Sequence, residues 1–99
     1  MPGSATKEEI LDFLRENKNL FRKKFGVKSI MLFGSYARDE ATEESNIDIA
    51  IEHKEKSFDN LFNVKEILEN KFKKSIRVVY IDSIRTYILR FVKEEMIYA

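Results

Sequence analysis

The sequence contains no cysteine, no tryptophan, one histidine, one proline and three glycines among its 99 residues. The lack of cysteine excludes disulfides and thiolate metal sites, and a single histidine excludes a multi-histidine zinc site. No apolar run approaches the roughly 20 residues that span a bilayer. The N-terminus also lacks the basic start and apolar stretch of a secretion signal. These absences predict a cytoplasmic chain with no membrane partner.

Charge of one sign is not in excess either. Eighteen Lys and Arg residues against seventeen Asp and Glu residues leave a net charge of +1, so direct nucleic-acid binding is not expected. The basic cluster Arg22–Lys24 is predicted to be a solvated helix face. Because the chain has no cysteine and only one histidine, any catalysis must rely on carboxylates, hydroxyls, backbone amides and Arg or Lys. The length predicts one domain over residues 1–99, with residues 1–5 interpreted as a disordered tail or a cloning remnant.

Hydrophobic periodicity divides the chain into alternating helices and strands. Helical spacing predicts a first helix over 6–24, with a candidate break near Asn17–Asn19, then a short helical turn over 36–41, a helix over 58–73 and a final helix that starts at Asp82 and Ser83. Compact or alternating apolar residues predict strands over 29–33, 46–52 and 76–81. Thr6 with Glu9 has the form of a capping box, and Gly26 that of a C-terminal cap. The predicted inner stripe of the last helix is Ile84, Ile88 and Phe91.

This order, α-β-α-β-α-β-α, predicts a two-layer α/β (α+β) domain with a three-stranded mixed sheet. The first connection is too short for a long crossover, so the first two strands should be antiparallel. The second connection holds a full helix and suits a crossover. A sheet with two edges to protect makes a homo-oligomer credible.

The segment Gly34–Glu52 carries the chemically informative residues. Gly34 and Ser35 follow a buried strand and open a short turn, where a glycine backbone and exposed amides attract phosphate. Asn46 and Asp48 are two residues apart on the next strand, so both point to one face. A turn that binds phosphate beside a polar strand face fits a nucleoside triphosphate and its magnesium.

This segment resembles the nucleotidyltransferases of the DNA polymerase beta superfamily, most closely the minimal nucleotidyltransferases. Their motif runs Gly-Ser-x-Ala-Arg-Gly, a short acidic link, then Ser-Asp-x-Asp. The matching residues are Gly34, Ser35, Ala37, Arg38, Ser45, Ile47 and Asp48. The resemblance implies a nucleotidyltransferase fold, with Gly34, Ser35 and Arg38 binding ATP and Asp48 binding Mg²⁺. It also implies an antitoxin that pairs with a HEPN-domain ribonuclease toxin; active members transfer AMP from ATP to a toxin tyrosine.

Three residues depart from the family pattern. Asp39 replaces a glycine, which looks tolerable on a helical turn, and Asn46 replaces the first metal-binding aspartate. Counting back from Asp82 places Arg77 at the third carboxylate, although a one-residue slip would place Val78 there. The site would then lack the charge that holds two magnesium ions, since a guanidinium about 4 Å from a divalent ion opposes it by several kcal/mol. Asn46 is isosteric with aspartate, which fits a natural exchange or an inactivating substitution equally well.

The sequence therefore predicts an antitoxin-type nucleotidyltransferase with weakened or absent transfer. Two alternatives stay open: an active protein adenylyltransferase, and a non-catalytic nucleotide-binding or interaction module. Arg77 either touches phosphate or bridges Asp48 or Glu52. Arg38 contacts phosphate, pairs with Glu40 or Glu43, or faces a partner. His53 is predicted to lie at the surface, and three aromatic residues are predicted to belong to the core or an interface: Tyr80, Tyr87 and Phe91.

Overall fold

The computed structural model describes residues 5–53, 58–84 and 86–99. In chain order the helices and strands are α1 (Lys7–Glu16), α2 (Lys18–Phe25), β1 (Val27–Phe33), β2 (Ile47–His53), α3 (Phe58–Phe72), β3 (Ile76–Tyr80), α4 (Thr86–Glu95) and β4 (Ile97–Tyr98). One 3₁₀ turn, Ile81–Ser83, connects β3 towards α4. The predicted first helix is thus two helices, and they meet at Asn17.

Both ends of the α1–α2 pair follow from local sequence. The Thr6 hydroxyl accepts a hydrogen bond of 3.1 Å from the Glu9 amide, which satisfies one of the free N–H groups at the start of α1. Gly26 ends α2 with a φ of 69°, the left-handed conformation that glycine adopts at little cost. The predicted Gly26 cap is confirmed, and so is the Thr6 hydroxyl bond of the predicted capping box.

The sheet is mixed, with the strand order β3-β2-β1-β4. Strand β1 pairs antiparallel with β2 and with β4, whereas β2 pairs parallel with β3. The predicted antiparallel first pair and the crossover are confirmed. The predicted count of three strands is wrong, because β4 is a fourth strand. It lies at the edge of the sheet and pairs with Met31 and Leu32 of β1. Two residues are too few to show a period-two pattern in the sequence.

The main core lies between one face of the sheet and helices α1, α2 and α3. Every second residue of the central strands enters it, as the pleat requires; its members include Ile30, Leu32, Ile47, Ile49, Ile51, Ile76 and Val78 from the sheet and Ile10, Leu14, Phe21, Val64 and Leu68 from the helices. The residues between them face the opposite side. Asp48 and Arg77 are therefore turned away from the core helices.

Two further expectations are wrong. The segment predicted as a helical turn over 36–41 forms a hydrogen-bonded turn and not a helix, so no helix separates β1 from β2. In α4, Ile88 and Phe91 are 42% and 67% exposed, while Val92 is buried. Helical periodicity identifies residues that share a face, but it does not tell whether that face is covered. No helix within the described ranges is long and apolar enough to cross a membrane.

Candidate functional site

Gly34 and Asp48 come together at the end of β1. Phe33 pairs with Asp48 across the antiparallel strands, so the chain leaves the sheet directly beside that carboxylate. Gly34 has a φ of 79°, and a Cβ atom there would overlap the Asp48 carboxylate, lying 2.9 Å from its Cγ. Only glycine combines this backbone conformation with this approach. The turn that the sequence assigns to phosphate therefore touches the carboxylate that it assigns to metal.

The turn after Gly34 is closed by its own backbone. The Arg38 amide donates to the Gly34 carbonyl at 3.1 Å, and the Glu40 amide donates to the Ser35 carbonyl at 2.9 Å. Asp39 lies in the left-handed region, with a φ of 59°. The expectation that Asp39 sits on a helical turn is therefore wrong. The left-handed conformation gives a physical reason why glycine suits this position, and why aspartate, one of the few other residues that adopt it, replaces glycine here.

The Arg38 guanidinium is held by two carboxylates. Its Nε donates to Glu40 Oε1 at 2.7 Å, and its Nη1 donates to Glu95 Oε2 at 2.7 Å. These bonds raise the pKa of Arg38, the one to Glu40 most. Of the two predicted pairings, the contact with Glu40 is present, whereas Glu95 comes from the end of α4. No sequence pattern indicated Glu95, because it is 57 residues away along the chain.

The carboxylate of Asp48 is largely buried. The side chain is 18% exposed and forms an ion pair with Arg77, whose Nε lies 3.7 Å from Oδ1. That distance is too long for a hydrogen bond, and among the described residues the buried Oδ1 has no hydrogen-bond partner. Burial raises the pKa of Asp48 above its ordinary value; the positive charge of Arg77 acts against this, and the negative charge of Glu95 adds to it.

Arg77 lies directly opposite Asp48 in the parallel β2–β3 pair. Its neighbour Val78 pairs with Ile49 and faces the core, so the alternative one-residue slip does not apply. Arg77 forms an ion pair with Asp48, and the Arg77 side chain is 65% exposed. The guanidinium thus stands beside the carboxylate and still faces solvent.

The serines and Asn46 have different surroundings. Ser45 shapes the loop before β2, because its hydroxyl accepts a hydrogen bond of 2.9 Å from the Thr42 amide. Asn46 is exposed one residue before β2, and Ser35 is half-buried at the start of the turn. Ser45 therefore has a structural role that the motif alone did not indicate.

His53 is half-buried, and the expectation of a surface position is wrong. Its Nε2 donates to the Phe25 carbonyl at 2.7 Å, and its ring packs edge-on against Tyr80. A Cβ atom on Gly26 would lie 2.6 Å from His53 Nε2, so the glycine that ends α2 also makes room for this ring. Tyr80 belongs to the core as expected. Phe91 is exposed and does not, and the side chain of Tyr87 lies outside the described residues.

The residues at this site fit a two-metal centre poorly. The orphaned Oδ1 of Asp48 is a suitable cation ligand. However, the described part of the chain has no group of three His, Cys, Asp or Glu side chains placed to hold a metal. Opposite Asp48 stands a cation, Arg77, which opposes a divalent ion. Together these groups supply one carboxylate ligand at most, and its charge is opposed by Arg77.

Comparison with known proteins agrees with the fold and with the family that the sequence resembles. Residues 15–99 match the family described as "Polymerase beta, Nucleotidyltransferase". A Methanocaldococcus jannaschii protein named as a candidate protein adenylyltransferase is 40% identical over 97 residues, covering 94% of this chain and 97% of that protein. The protein adenylyltransferase MntA of Thermococcus cleftensis is 35% identical over 94 residues, covering 94% and 95%.

Solved structures show the same fold at lower identity. A candidate minimal nucleotidyltransferase superposes with a TM-score of 0.71 at 24% identity, over 88% of this chain and 93% of that one. A toxin–antitoxin structure with AMP-PNP gives a TM-score of 0.68 at 21% identity, over 95% and 72%. The mixed sheet and the order of its elements are shared with these nucleotidyltransferase structures. The chain belongs to the polymerase beta nucleotidyltransferase family and is of the minimal nucleotidyltransferase type.

Proposed function

We propose that residues 1–99 form one minimal nucleotidyltransferase domain that acts as the antitoxin of a HEPN-type toxin, binds ATP and has weakened or absent AMP transfer. The observation that carries the loss of transfer is the pair between Asp48 and Arg77, with Nε and Oδ1 3.7 Å apart. The resemblance assigns a carboxylate to the position that Arg77 occupies. A guanidinium there repels the metal ions on which the family's chemistry depends.

The nucleotide site of this proposal is the turn from Gly34 to Arg38. It offers the Gly34 amide and the Arg38 guanidinium to the phosphates, with the Ser35 hydroxyl beside them. Arg77, with its side chain 65% exposed, supplies a second guanidinium that forms charge-assisted hydrogen bonds with phosphate oxygens. Because the two guanidinium groups neutralise part of the negative charge of ATP, the nucleotide binds with little need for magnesium.

The proposed partner rests on the family and on the relatives. A close relative in length and sequence is named as a protein adenylyltransferase, and chains with this fold occur in toxin–antitoxin crystal structures. A chain with weakened transfer would restrain its toxin by covering it. Co-elution of this protein with a HEPN-type toxin from the same organism tests that association.

An active protein adenylyltransferase is the second candidate, favoured by the buried Asp48 Oδ1 that has no hydrogen-bond partner. Such an atom is satisfied when it binds a cation. In that reaction the toxin tyrosine oxygen forms a bond to the α-phosphorus of ATP. The bond to pyrophosphate breaks, pyrophosphate leaves, and the tyrosine proton passes to solvent.

Intact mass spectrometry of the toxin separates the two candidates. The complex is incubated with ATP and Mg²⁺, and the gain of one adenylate on a toxin tyrosine is measured. We expect no adenylate with the wild type or Asn46→Asp, and transfer only with Asn46→Asp combined with Arg77→Asp. Asn46→Asp combined with Arg15→Asp, an exposed residue of α1, makes the same charge change away from the site and serves as the control.

Each outcome of this experiment has a distinct meaning. Transfer by the wild type would establish the second candidate. Robust transfer by Asn46→Asp alone would show that the third carboxylate lies elsewhere in the chain. Binding of the toxin without any binding of ATP would leave a pure interaction module.

A further inference from the structure

A carboxylate already occupies the turn to which the sequence assigns phosphate. Glu95 Oε2 accepts a hydrogen bond of 2.9 Å from the Gly34 amide and one of 2.7 Å from Arg38 Nη1. A backbone amide at a glycine turn and a guanidinium that converge on one anionic oxygen are the groups with which proteins bind phosphate oxygens. The same two donors cannot serve Glu95 and a phosphate oxygen fully at the same time.

We propose that Glu95 is an intramolecular competitor for phosphate at the Gly34–Arg38 site, and that it sets the affinity of the site for phosphate-bearing ligands. This inference rests on the proposed function in that the natural ligand is ATP. A triphosphate binds by taking the Gly34 amide and the Arg38 guanidinium from Glu95. The apparent affinity is then lower than the intrinsic affinity by the fraction of molecules in which Glu95 has left.

The Glu95 side chain can leave the site while the end of helix α4 stays in place. Glu95 is the last residue of α4, and the chain continues into β4, which pairs with Met31 and Leu32 of β1. The Ala99 amide also donates to the Ile30 carbonyl at 3.0 Å. Because these bonds hold the main chain on the sheet, displacement requires rotation of the Glu95 side chain only.

The charge of Glu95 also acts on the site as a whole. Both carboxylates adjoin Gly34, because Glu95 accepts a hydrogen bond from its amide and Asp48 lies against its Cα, so their negative charges repel each other. An incoming phosphate meets the same repulsion. Rotation of Glu95 towards solvent removes one negative charge from the site as the phosphate enters.

Glu95→Gln tests the proposal, with Glu94→Gln as a matched control. Glu94 is exposed on the same turn of α4 and its substitution makes the same charge change. Inorganic triphosphate and ATP are titrated separately by calorimetry, and the chemical shift of the Gly34 amide is followed by NMR. We expect E95Q to bind both ligands about tenfold more tightly than the wild type, because the neutral amide competes less well for Arg38. E94Q should bind as the wild type does.

A second variant separates displacement from a general change in charge. Glu40→Gln removes the other carboxylate on Arg38 but leaves the Gly34 amide bound to Glu95. We expect its gain in affinity to be clearly smaller than that of E95Q. Equal gains would overturn the proposal, because the effect would then come only from the charge around Arg38.

The remaining outcomes decide the proposal directly. Unchanged or weaker binding by E95Q would overturn it; weaker binding would mean that Glu95 positions Arg38 for phosphate. A Gly34 amide that responds to neither ligand in any variant would also overturn it. Tighter binding of triphosphate by E95Q with no binding of ATP would support the competitor and refute the proposed nucleotide site.

Discussion

The sequence indicated on which face of β2 Asp48 lies, but it did not indicate what surrounds the side chain. Alternation along β2 placed the carboxylate on the face away from Ile47 and Ile49. Its burial, the lack of a hydrogen bond to its Oδ1 from the described residues, and its distance from Arg77 depend on neighbouring strands. A carboxylate held in this way costs free energy in the absence of a ligand.

We therefore expect Asp48→Asn to stabilise the protein at neutral pH by about 1 kcal/mol. The raised pKa of Asp48 means that the folded state binds a proton more readily than the unfolded state, whose pKa is near 3.8. The stability of the wild type should consequently fall as pH rises from the unfolded value through the folded one. The variant should lose this decline, so its advantage grows over that window.

Urea unfolding at several values between about pH 4 and pH 7 measures this difference. Asp12→Asn, at an exposed position of α1, controls for the loss of an aspartate as such. A variant less stable than the wild type at neutral pH would show that attraction to Arg77 outweighs the cost of burial.

Gly34 offers a second test at the residue scale. We expect Gly34→Ala to lower the free energy of unfolding by about 1–3 kcal/mol, because alanine resists the positive φ and its Cβ meets Asp48. In an Asp48→Ala background the overlap with the carboxylate should disappear, while the contact with the Cβ atom of position 48 at 3.0 Å remains, so we expect a coupling of about 1 kcal/mol in a double-mutant cycle. Strictly additive effects would mean that the strain lies in the backbone alone.

At the scale of elements, the turn between β1 and β2 shows where local sequence misleads. Residues 36–41 are compatible with a helical turn, and one helix-like bond, from the Arg38 amide to the Gly34 carbonyl, does form. The left-handed Asp39 then stops any continuation. The Asp39 side chain is 69% exposed and pairs with Lys7 at 2.9 Å.

The conformation of this turn predicts the effect of substitutions at Asp39. We expect Asp39→Ala to cost about 1 kcal/mol in stability, since alanine adopts the left-handed region poorly. Asp39→Gly should stay within about 0.5 kcal/mol of the wild type, because glycine gains in the turn and loses in the unfolded chain. Thermal and urea unfolding measure both variants.

Lys7→Ala is the control for the ion pair, and its effect should be below about 0.5 kcal/mol. If Lys7→Ala is as harmful as Asp39→Ala, the ion pair and not the backbone conformation explains the role of Asp39.

Helix α4 is a second element for which local sequence was misleading. Helical spacing predicted that Ile88 and Phe91 face the core, but the face that they share is exposed.

In the whole molecule, four separate parts of the chain form one charged site: the turn after β1, strands β2 and β3, and the end of α4. The antiparallel register brings Gly34 to Asp48, the parallel register brings Arg77 to Asp48, and the end of α4 brings Glu95 to Arg38. Because Arg38 also holds a second carboxylate, two arginines face three carboxylates, and the site has a net charge of −1 while Glu95 occupies it. We expect an anion to bind through the arginines once Glu95 has turned away, and we expect Arg77 to keep the binding of a divalent cation weak.

Calorimetric titration with ATP, with and without magnesium, measures this balance. We expect binding that depends little on magnesium and that weakens about tenfold in Arg77→Ala, which removes one charge-assisted contact to phosphate. Arg90→Ala, on the exposed side of α4, is the control. Tight binding that requires magnesium would instead show that Asp48 holds a metal despite Arg77.

The amino-acid sequence alone is enough to predict the family, the order of most elements, the caps of α1 and α2, and the places of Gly34 and Asp48. These features depend on local spacing and short motifs, which a single chain displays directly. The folded chain is needed to establish the fourth strand, the half-buried His53, the exposed face of α4, the placement of Arg77 opposite Asp48, and the contact of Glu95 with Gly34 and Arg38. Each of these depends on which distant segments meet, and that is settled by packing and strand register and not by any local pattern.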